Sequence, residues 1–290
     1  MDRAIDSVKK YLSLVKFSHT VFAMPFAMIG FALGITTGSH TFSLRILLLV
    51  ILCMISARNA AMGFNRWADR RFDTQNPRTA SREIPTGKIS PGAALTFVAI
   101  NAALFIAFAY LINPLAFMLS PVALLITLGY SLTKRFTAFC HLILGLGLSL
   151  APIGAYIAVT GRFAALPVIY SLIALTWTSG FDIIYALQDD EFDRHAGLRS
   201  IPAAAGRRGA LIISSLIHTA TFALVIQAGT AGNAGIMYLA GAVLFSALLL
   251  YQHLIVKPGD LSRVNIAFAT SNGIASTVFA VFTIIDILVY

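Results

Sequence analysis

Residues 44–73 read LRILLLVILCMISARNAAMGFNRWADRRFD, an apolar run that ends in an acidic motif. About 20 residues of α-helix cross the ~30 Å hydrocarbon core of a bilayer. The run is long enough to do so, and it delivers Asn65, Asp69 and Asp73 to its far end. A second stretch, DIIYALQDDEFD at 182–193, closes another apolar run, and its Asp189 and Asp193 repeat the spacing of Asp69 and Asp73. Similar tetrapeptides follow, Arg82-Glu83-Ile84-Pro85 and Arg199-Ser200-Ile201-Pro202. Apolar helices ending in matched acidic loops imply an all-α membrane bundle.

The rest of the chain agrees. It is 58% hydrophobic and 11% charged, against about 25% charged in soluble domains. Nine segments have spanning character: 14–36, 44–67, 91–112, 114–132, 138–160, 167–188, 210–229, 233–256 and 265–288. They are separated by breaks such as Asn113-Pro114, Gly161, Pro167, Gly232-Asn233 and Lys257-Pro258-Gly259. The first segment lacks a small-residue cleavage site and reads as a span, not a removable signal. Residues 1–290 are expected to form a single transmembrane domain. The four-span separation of the acidic motifs suggests two four-helix repeats plus one helix.

Charge orients the bundle. One set of ends carries 18 of the 21 Lys and Arg residues, and the other has only Arg45 and Arg162. Arg58 lies inside the second span. The bias puts the N-terminus and both acidic motifs on the cytoplasmic side of the cell inner membrane. The net charge of +9 is thus mainly topological, with anionic headgroups as further partners. Nucleic acid is excluded as a partner, because no soluble domain is present to bind it.

On a helix turning ~100° per residue, Arg58, Asn65, Asp69 and Asp73 fall within an arc of about 80°. Asp182, Tyr185, Asp189 and Asp193 do the same. If both faces point inward, five carboxylates and an amide converge. Like charges so confined require cations. A donor set of oxygens without Cys or His suits Mg²⁺, which commonly shares its shell with phosphate oxygens. A pair of such ions makes a diphosphate a leaving group. Arg78, Arg82, Lys134, Arg135 and Arg199 are suitable anion partners in the loops. Asp182 and Arg58 lie inside apolar spans, where ionised groups are costly and usually functional.

Other polar residues read as structural. Cys53 and Cys140 are buried hydrophobes. His141 and His218 are expected to be hydrogen-bonded within the bundle, Asn272 to line the cavity or bond a neighbouring helix, and Asp286 to be interfacial. Tyr130, Tyr156 and Tyr185 are candidates to face a carbocation.

At these positions the chain resembles the UbiA superfamily of intramembrane aromatic prenyltransferases. The family motif Asn-x-x-x-Asp-x-x-x-Asp matches Asn65, Asp69 and Asp73, followed by Arg78-Thr79 and Arg82. The motif Asp-x-x-Tyr-x-x-x-Asp-x-x-x-Asp matches Asp182, Tyr185, Asp189 and Asp193. Lys134-Arg135 after Tyr130, and Arg58, match as well. The resemblance implies nine spans, two Mg²⁺ ions and a polyprenyl diphosphate donor. It implies that Asn65, Asp69, Asp182 and Asp189 hold the metals, with Asp73 and Asp193 in support. Arg58, Lys134 and Arg135 would engage the diphosphate or an acceptor carboxylate. The allylic cation formed on ionisation would be attacked by the carbon ortho to a phenol hydroxyl. The run from Arg58 to Ser90 is most similar to the 4-hydroxybenzoate polyprenyltransferases of ubiquinone synthesis, with an aromatic acid acceptor. Very similar members prenylate a naphthoate in menaquinone synthesis, and Lys16-Phe17-Ser18-His19-Thr20 with Pro25-Phe26 is shared by both.

A cation-coupled transporter is the rival of a different class. Its charged sites belong at the bilayer midplane, whereas these acids sit at helix ends. A scaffold protein leaves the paired motifs unexplained.

Overall fold

The computed structural model describes residues 10–11, 13–15, 23–37 and 40–289. Eleven α-helices are numbered here in chain order. They are α1 (Met24–Thr36), α2 (Leu44–Ala68), α3 (Arg70–Gln75), α4 (Pro91–Ile112), α5 (Pro114–Thr133), α6 (Cys140–Thr160), α7 (Ala165–Ala186), α8 (Asp190–His195), α9 (Ile201–Ala231), α10 (Ile236–Ile255) and α11 (Asn272–Val289). A 3₁₀ turn, Leu187–Asp189, joins α7 to α8, and a π-helical turn, Ile266–Ser271, leads into α11.

Eight helices among the described residues are long and apolar enough to cross a membrane, and α1 is a shorter apolar helix. Together these account for the nine expected spans of an integral membrane bundle. Residues 16–22 of the first expected span, the Lys16–Thr20 stretch within it, and Arg3 and Lys9 lie outside the described residues.

The helix starts are written in the local sequence. Ser43, Ser90, Asn113 and Ser200 accept hydrogen bonds from the first turns of α2, α4, α5 and α9, as N-caps do. Proline follows at the first or second position of α4, α5 and α9, where no N–H is lost. Pro167 does not delay α7, which begins at Ala165. Pro121 lies inside α5, and Ser120 Oγ donates to the Phe117 carbonyl at 2.8 Å. That is the carbonyl a proline at 121 leaves without its i+4 donor. The segment expected at 210–229 begins earlier, because Gly206, with φ 69°, joins a short helical piece to the main rod of α9.

α1 packs between α6 and α11. A Cβ at Gly30 would stand 1.9 Å from the Pro152 carbonyl oxygen, and one at Gly145 would stand 2.5 Å from that of Leu175. Small residues therefore set the α1–α6 and α6–α7 distances, as in other membrane bundles. The core joins Phe26, Ile29, Tyr156, Trp177, Phe245 and Phe279. Large apolar side chains such as Met118, Leu125, Leu216 and Val243 face outward, where lipid covers them.

Buried polar groups tie the helices together. Asn272 accepts from Trp177 Nε1 on α7 at 3.0 Å and exchanges hydrogen bonds with Gln252 on α10. Of its two expected roles, it takes the bond to neighbouring helices. Asp286 is buried: its oxygens accept from the Gly235 and Tyr238 amides and cap α10. His218 contacts the Trp177 carbonyl and His253.

Candidate active site

The continuous helical faces expected for the acidic motifs are interrupted. α2 stops at Ala68, Asp69 leaves helical geometry with φ −89° and ψ 4°, and α3 restarts at Arg70. α7 stops at Ala186, and the 3₁₀ turn carries Asp189 before α8. Both breaks fall where a spanning helix ends. They deliver Asn65, Asp69, Asp73, Asp182, Asp189 and Asp193 to one cavity of about 290 Å³.

Each carboxylate in this cavity has a basic partner. Arg78 forms a two-pronged ion pair with Asp189, its Nε donating to Oδ1 at 2.9 Å. Asn76 donates to the same oxygen at 2.9 Å. Arg82 donates to Asp73 Oδ1 at 2.6 Å. Lys134 Nζ stands 2.7 Å from Asp193 Oδ1, and Ser200 Oγ donates to Oδ2 at 2.9 Å. Since Ser200 also caps α9, one hydroxyl ties the second motif to the following helix. Asp69 accepts from Asn65 at 3.0 Å and lies 3.6 Å from Arg135. Asp182 meets His141 Nδ1 at 2.7 Å. The Ile201 amide donates to His141 Nε2 at 3.4 Å, which assigns the ring proton to Nδ1 and the donor role to His141.

The pairs shape the charges. Burial, reinforced by the charge of Asp73, pushes Asp69 up to about 6 against the pull of Lys134, Arg135 and Arg82. Burial works against the Lys134 ammonium, but Asp193 and its hydrogen bond raise it above the ordinary lysine value. Arg78 is likewise raised by Asp189 against the cost of its burial. Among the described residues no three His, Cys, Asp or Glu groups stand close enough to form a ready metal cage. In this state the acids hold bases instead.

Tyr185 lines the cavity with its ring stacked on Phe268 at 4.0 Å between centroids. The Arg78 guanidinium lies 5.4 Å from the Tyr185 centroid and donates to its hydroxyl at 3.1 Å. Phe181 packs edge-on to Phe268. Of the other tyrosine candidates, Tyr130 lines the cavity, whereas Tyr156 is buried in the apolar core. Arg58 reaches the cavity from α2, its Nε buried without a partner. An ion pair between Arg58 and Asp182 does not form, because His141 holds that acid.

Two arginines are placed differently from the rest. Arg199 does not line the cavity. Its guanidinium donates to the Phe136 carbonyl at 2.9 Å and its amide to the Lys134 carbonyl at 2.7 Å. It therefore braces the Lys134-Arg135 loop. Arg135 also donates to the Ala68 carbonyl at 2.7 Å, which fastens that loop to the end of α2. Sequence reading passed over Asn76, an Asn-Pro turn residue, and Arg66, which it counted only as loop charge.

Comparisons with known proteins identify the family and the fold. A model of the UbiA prenyltransferase family matches residues 23–276. A 4-hydroxybenzoate octaprenyltransferase of Aeromonas hydrophila is 30% identical over 81% of both chains. One from Nitrosospira multiformis is 31% identical over 82% of this chain and 81% of that one. Among solved structures, an apo UbiA homolog from Aeropyrum pernix K1 superposes with TM-score 0.83 at 33% identity, over 92% of this chain and 98% of that one. A UbiA homolog from Archaeoglobus fulgidus bound to DMAPP and Mg²⁺ gives TM-score 0.77 at 25% identity, over 97% and 100%.

Proposed function

From the premise that this chain belongs to the UbiA prenyltransferase family, we propose that it transfers a polyprenyl group from a polyprenyl diphosphate to an aromatic acid acceptor of the 4-hydroxybenzoate type in respiratory quinone synthesis. The observation that carries this reading is the cavity itself, with five carboxylates, two amides and four guanidinium groups. The relatives named 4-hydroxybenzoate octaprenyltransferase support the acceptor class.

The donor set fits a hard divalent ion. It consists of oxygens at the acidic motifs, and Asp73 Oδ2 is buried without a partner. Asn65, Asp69, Asp182 and Asp189 would hold two Mg²⁺ ions, with Asp73 and Asp193 supporting them; the homolog bound to Mg²⁺ supports the ion type. When bound, the ions supply positive charge that stabilises a departing diphosphate. Arg78, Arg82 and Lys134, released from their carboxylates, bind the diphosphate oxygens. The bond between the prenyl carbon and its oxygen breaks, and the electron pair leaves with the diphosphate. The ring carbon ortho to the acceptor hydroxyl attacks the allylic carbon, and the displaced ring proton passes to the released diphosphate or to water. Tyr185, Phe181 and Phe268 wall the reacting carbon from water and present π faces to it. Leu144, Leu148 and Met62 continue the lining as apolar surface for the prenyl chain. The basic bias of the motif-bearing ends sets the cavity toward the cytoplasm, in the inner membrane.

The test is product analysis by mass spectrometry with purified protein, a polyprenyl diphosphate, and hydroxybenzoate or naphthoate acceptors. Prenylated hydroxybenzoate and free diphosphate are expected, and only when Mg²⁺ is present. Absence of product from every aromatic acid, or turnover undiminished by a chelator, would overturn the reading.

A further inference from the structure

We propose that Arg66 joins Arg58 in a recess of two guanidinium groups that binds the carboxylate of the aromatic acceptor, which makes Arg66 a specificity-determining residue. This rests on the aromatic-acid reading above and extends it to the residue that follows Asn65 within the first acidic motif.

Arg66 is 4% exposed and lines the cavity, and its Nε has no hydrogen-bond partner. A buried guanidinium without an anion is costly, and within a membrane bundle such groups face a partner or a pathway. No carboxylate of the cavity hydrogen-bonds to that nitrogen, although Asp73 attracts the group electrostatically. Asp189 is taken by Arg78, Asp193 by Lys134, Asp69 by Arg135 and Asp182 by His141. Asp73 gives one oxygen to Arg82, and its other oxygen remains without a hydrogen bond to Arg66. Once these pairs are matched, Arg58 and Arg66 are the arginines of the cavity left over. They stand on the same helix, α2, eight residues apart or about 12 Å of rise. Tyr130 on α5 is an electrostatic neighbour of both. Two long side chains reaching into one recess from that separation can close on a small anion.

The position favours the acceptor over the donor. The bases on the motif loops, Arg78, Arg82 and Lys134, already stand against the acids where a diphosphate would be held. Arg58 and Arg66 make no hydrogen bond to an acid through Nε and stand on the spanning helix that carries the start of the first motif. A planar carboxylate suits guanidinium forks, and the Tyr130 ring beside them offers a surface for an aromatic ring.

The experiment compares wild type, Arg66→Gln and Arg66→Lys in detergent, with 4-hydroxybenzoate and its neutral isostere 4-hydroxybenzamide as acceptors. For Arg66→Gln the KM for 4-hydroxybenzoate should rise about 10- to 100-fold, as expected for loss of a hydrogen bond between charged groups. The donor KM should stay within about twofold, and the preference for acid over amide should collapse. Arg66→Lys, which keeps charge but loses the fork, should fall between. A rise confined to the donor KM would overturn the proposal in favour of diphosphate binding. Unchanged KM values with a lowered Tm would overturn it in favour of a structural role. If Arg66→Gln does not fold, Arg66→Lys carries the same comparison, and an acceptor KM equal to wild type overturns the proposal. Wild type inactive with every aromatic acid would sink the functional reading itself, whereas wild type active with acids but insensitive at Arg66 would sink only this inference.

Discussion

A carboxylate in this cavity acts through its charge, not its bulk. Asp69→Asn and Asp189→Asn keep the shape and hydrogen-bonding reach of the side chain while removing that charge. Each should lower kcat by about 10²-fold or more while leaving a folded, membrane-inserted protein, since the fold rests on apolar packing elsewhere. Turnover assays at saturating Mg²⁺ check this, and near-wild-type rates would remove the residue from the metal-binding set. Arg58→Lys is a subtler probe. Lysine keeps the charge but loses the planar fork, so the acceptor KM should rise about tenfold with the donor KM little changed. Steady-state kinetics with each substrate varied in turn separate the two. At this scale the sequence was legible wherever charge stood against an apolar background. Asn65, Asp69, Asp73, Asp182, Asp189 and Asp193 all reach the cavity, as do Arg58 and Lys134. Arg66 and Asn76 were hidden because their neighbours are polar, and nothing local marks which loop residue turns inward. Arg199 misled because a conspicuous charge beside a repeated tetrapeptide also serves to brace a loop.

The helices are placed so that small residues set distances that the cavity then inherits. Gly145 lets α6 lie against the Leu175 carbonyl of α7. His141 and Asp182 meet across the same contact one turn away. Gly145→Ala should force the helices apart, with a loss of about 1–3 kcal/mol for overpacking and a measurable fall in transfer activity as the His141–Asp182 contact opens. Thermal unfolding in detergent and a prenyl-transfer assay test both parts. A variant with wild-type Tm and wild-type activity would show that the neighbouring backbone yields. Apolar length and the Gly, Pro and Asn breaks between segments revealed most of the helices, including α5 despite Pro121. The breaks at Asp69 and at Leu187–Asp189 were not visible, because the periodicity of the sequence continues through them. The π-helical turn ahead of α11 was equally silent, since Ile266–Ser271 is ordinary helix-compatible apolar sequence.

As a whole the molecule is a polarised object, apolar around its girdle and basic at one end. Reporter fusions at the C-terminus should signal from the outer face and fusions in the Asn76–Ser90 loop from the cytoplasm, as the charge bias requires. The reverse result would invert the cavity. The pairing of every acid in that cavity with a base also bears on how substrates load. A cation arriving alone must evict a guanidinium, and an anion arriving alone must draw one away from its carboxylate. Arriving together, they trade partners and leave no charge stranded. Metal and diphosphate should therefore tighten one another by the same factor, as linkage demands. Calorimetric titration of Mg²⁺ with and without a non-ionising diphosphonate analogue should show an affinity gain of about tenfold or more. Equal affinities would mean that the resting pairs offer no resistance. Such reciprocity makes the idle protein a self-quenched chamber, which becomes reactive only when both halves of the charge are delivered and so does not squander its donor in the bilayer.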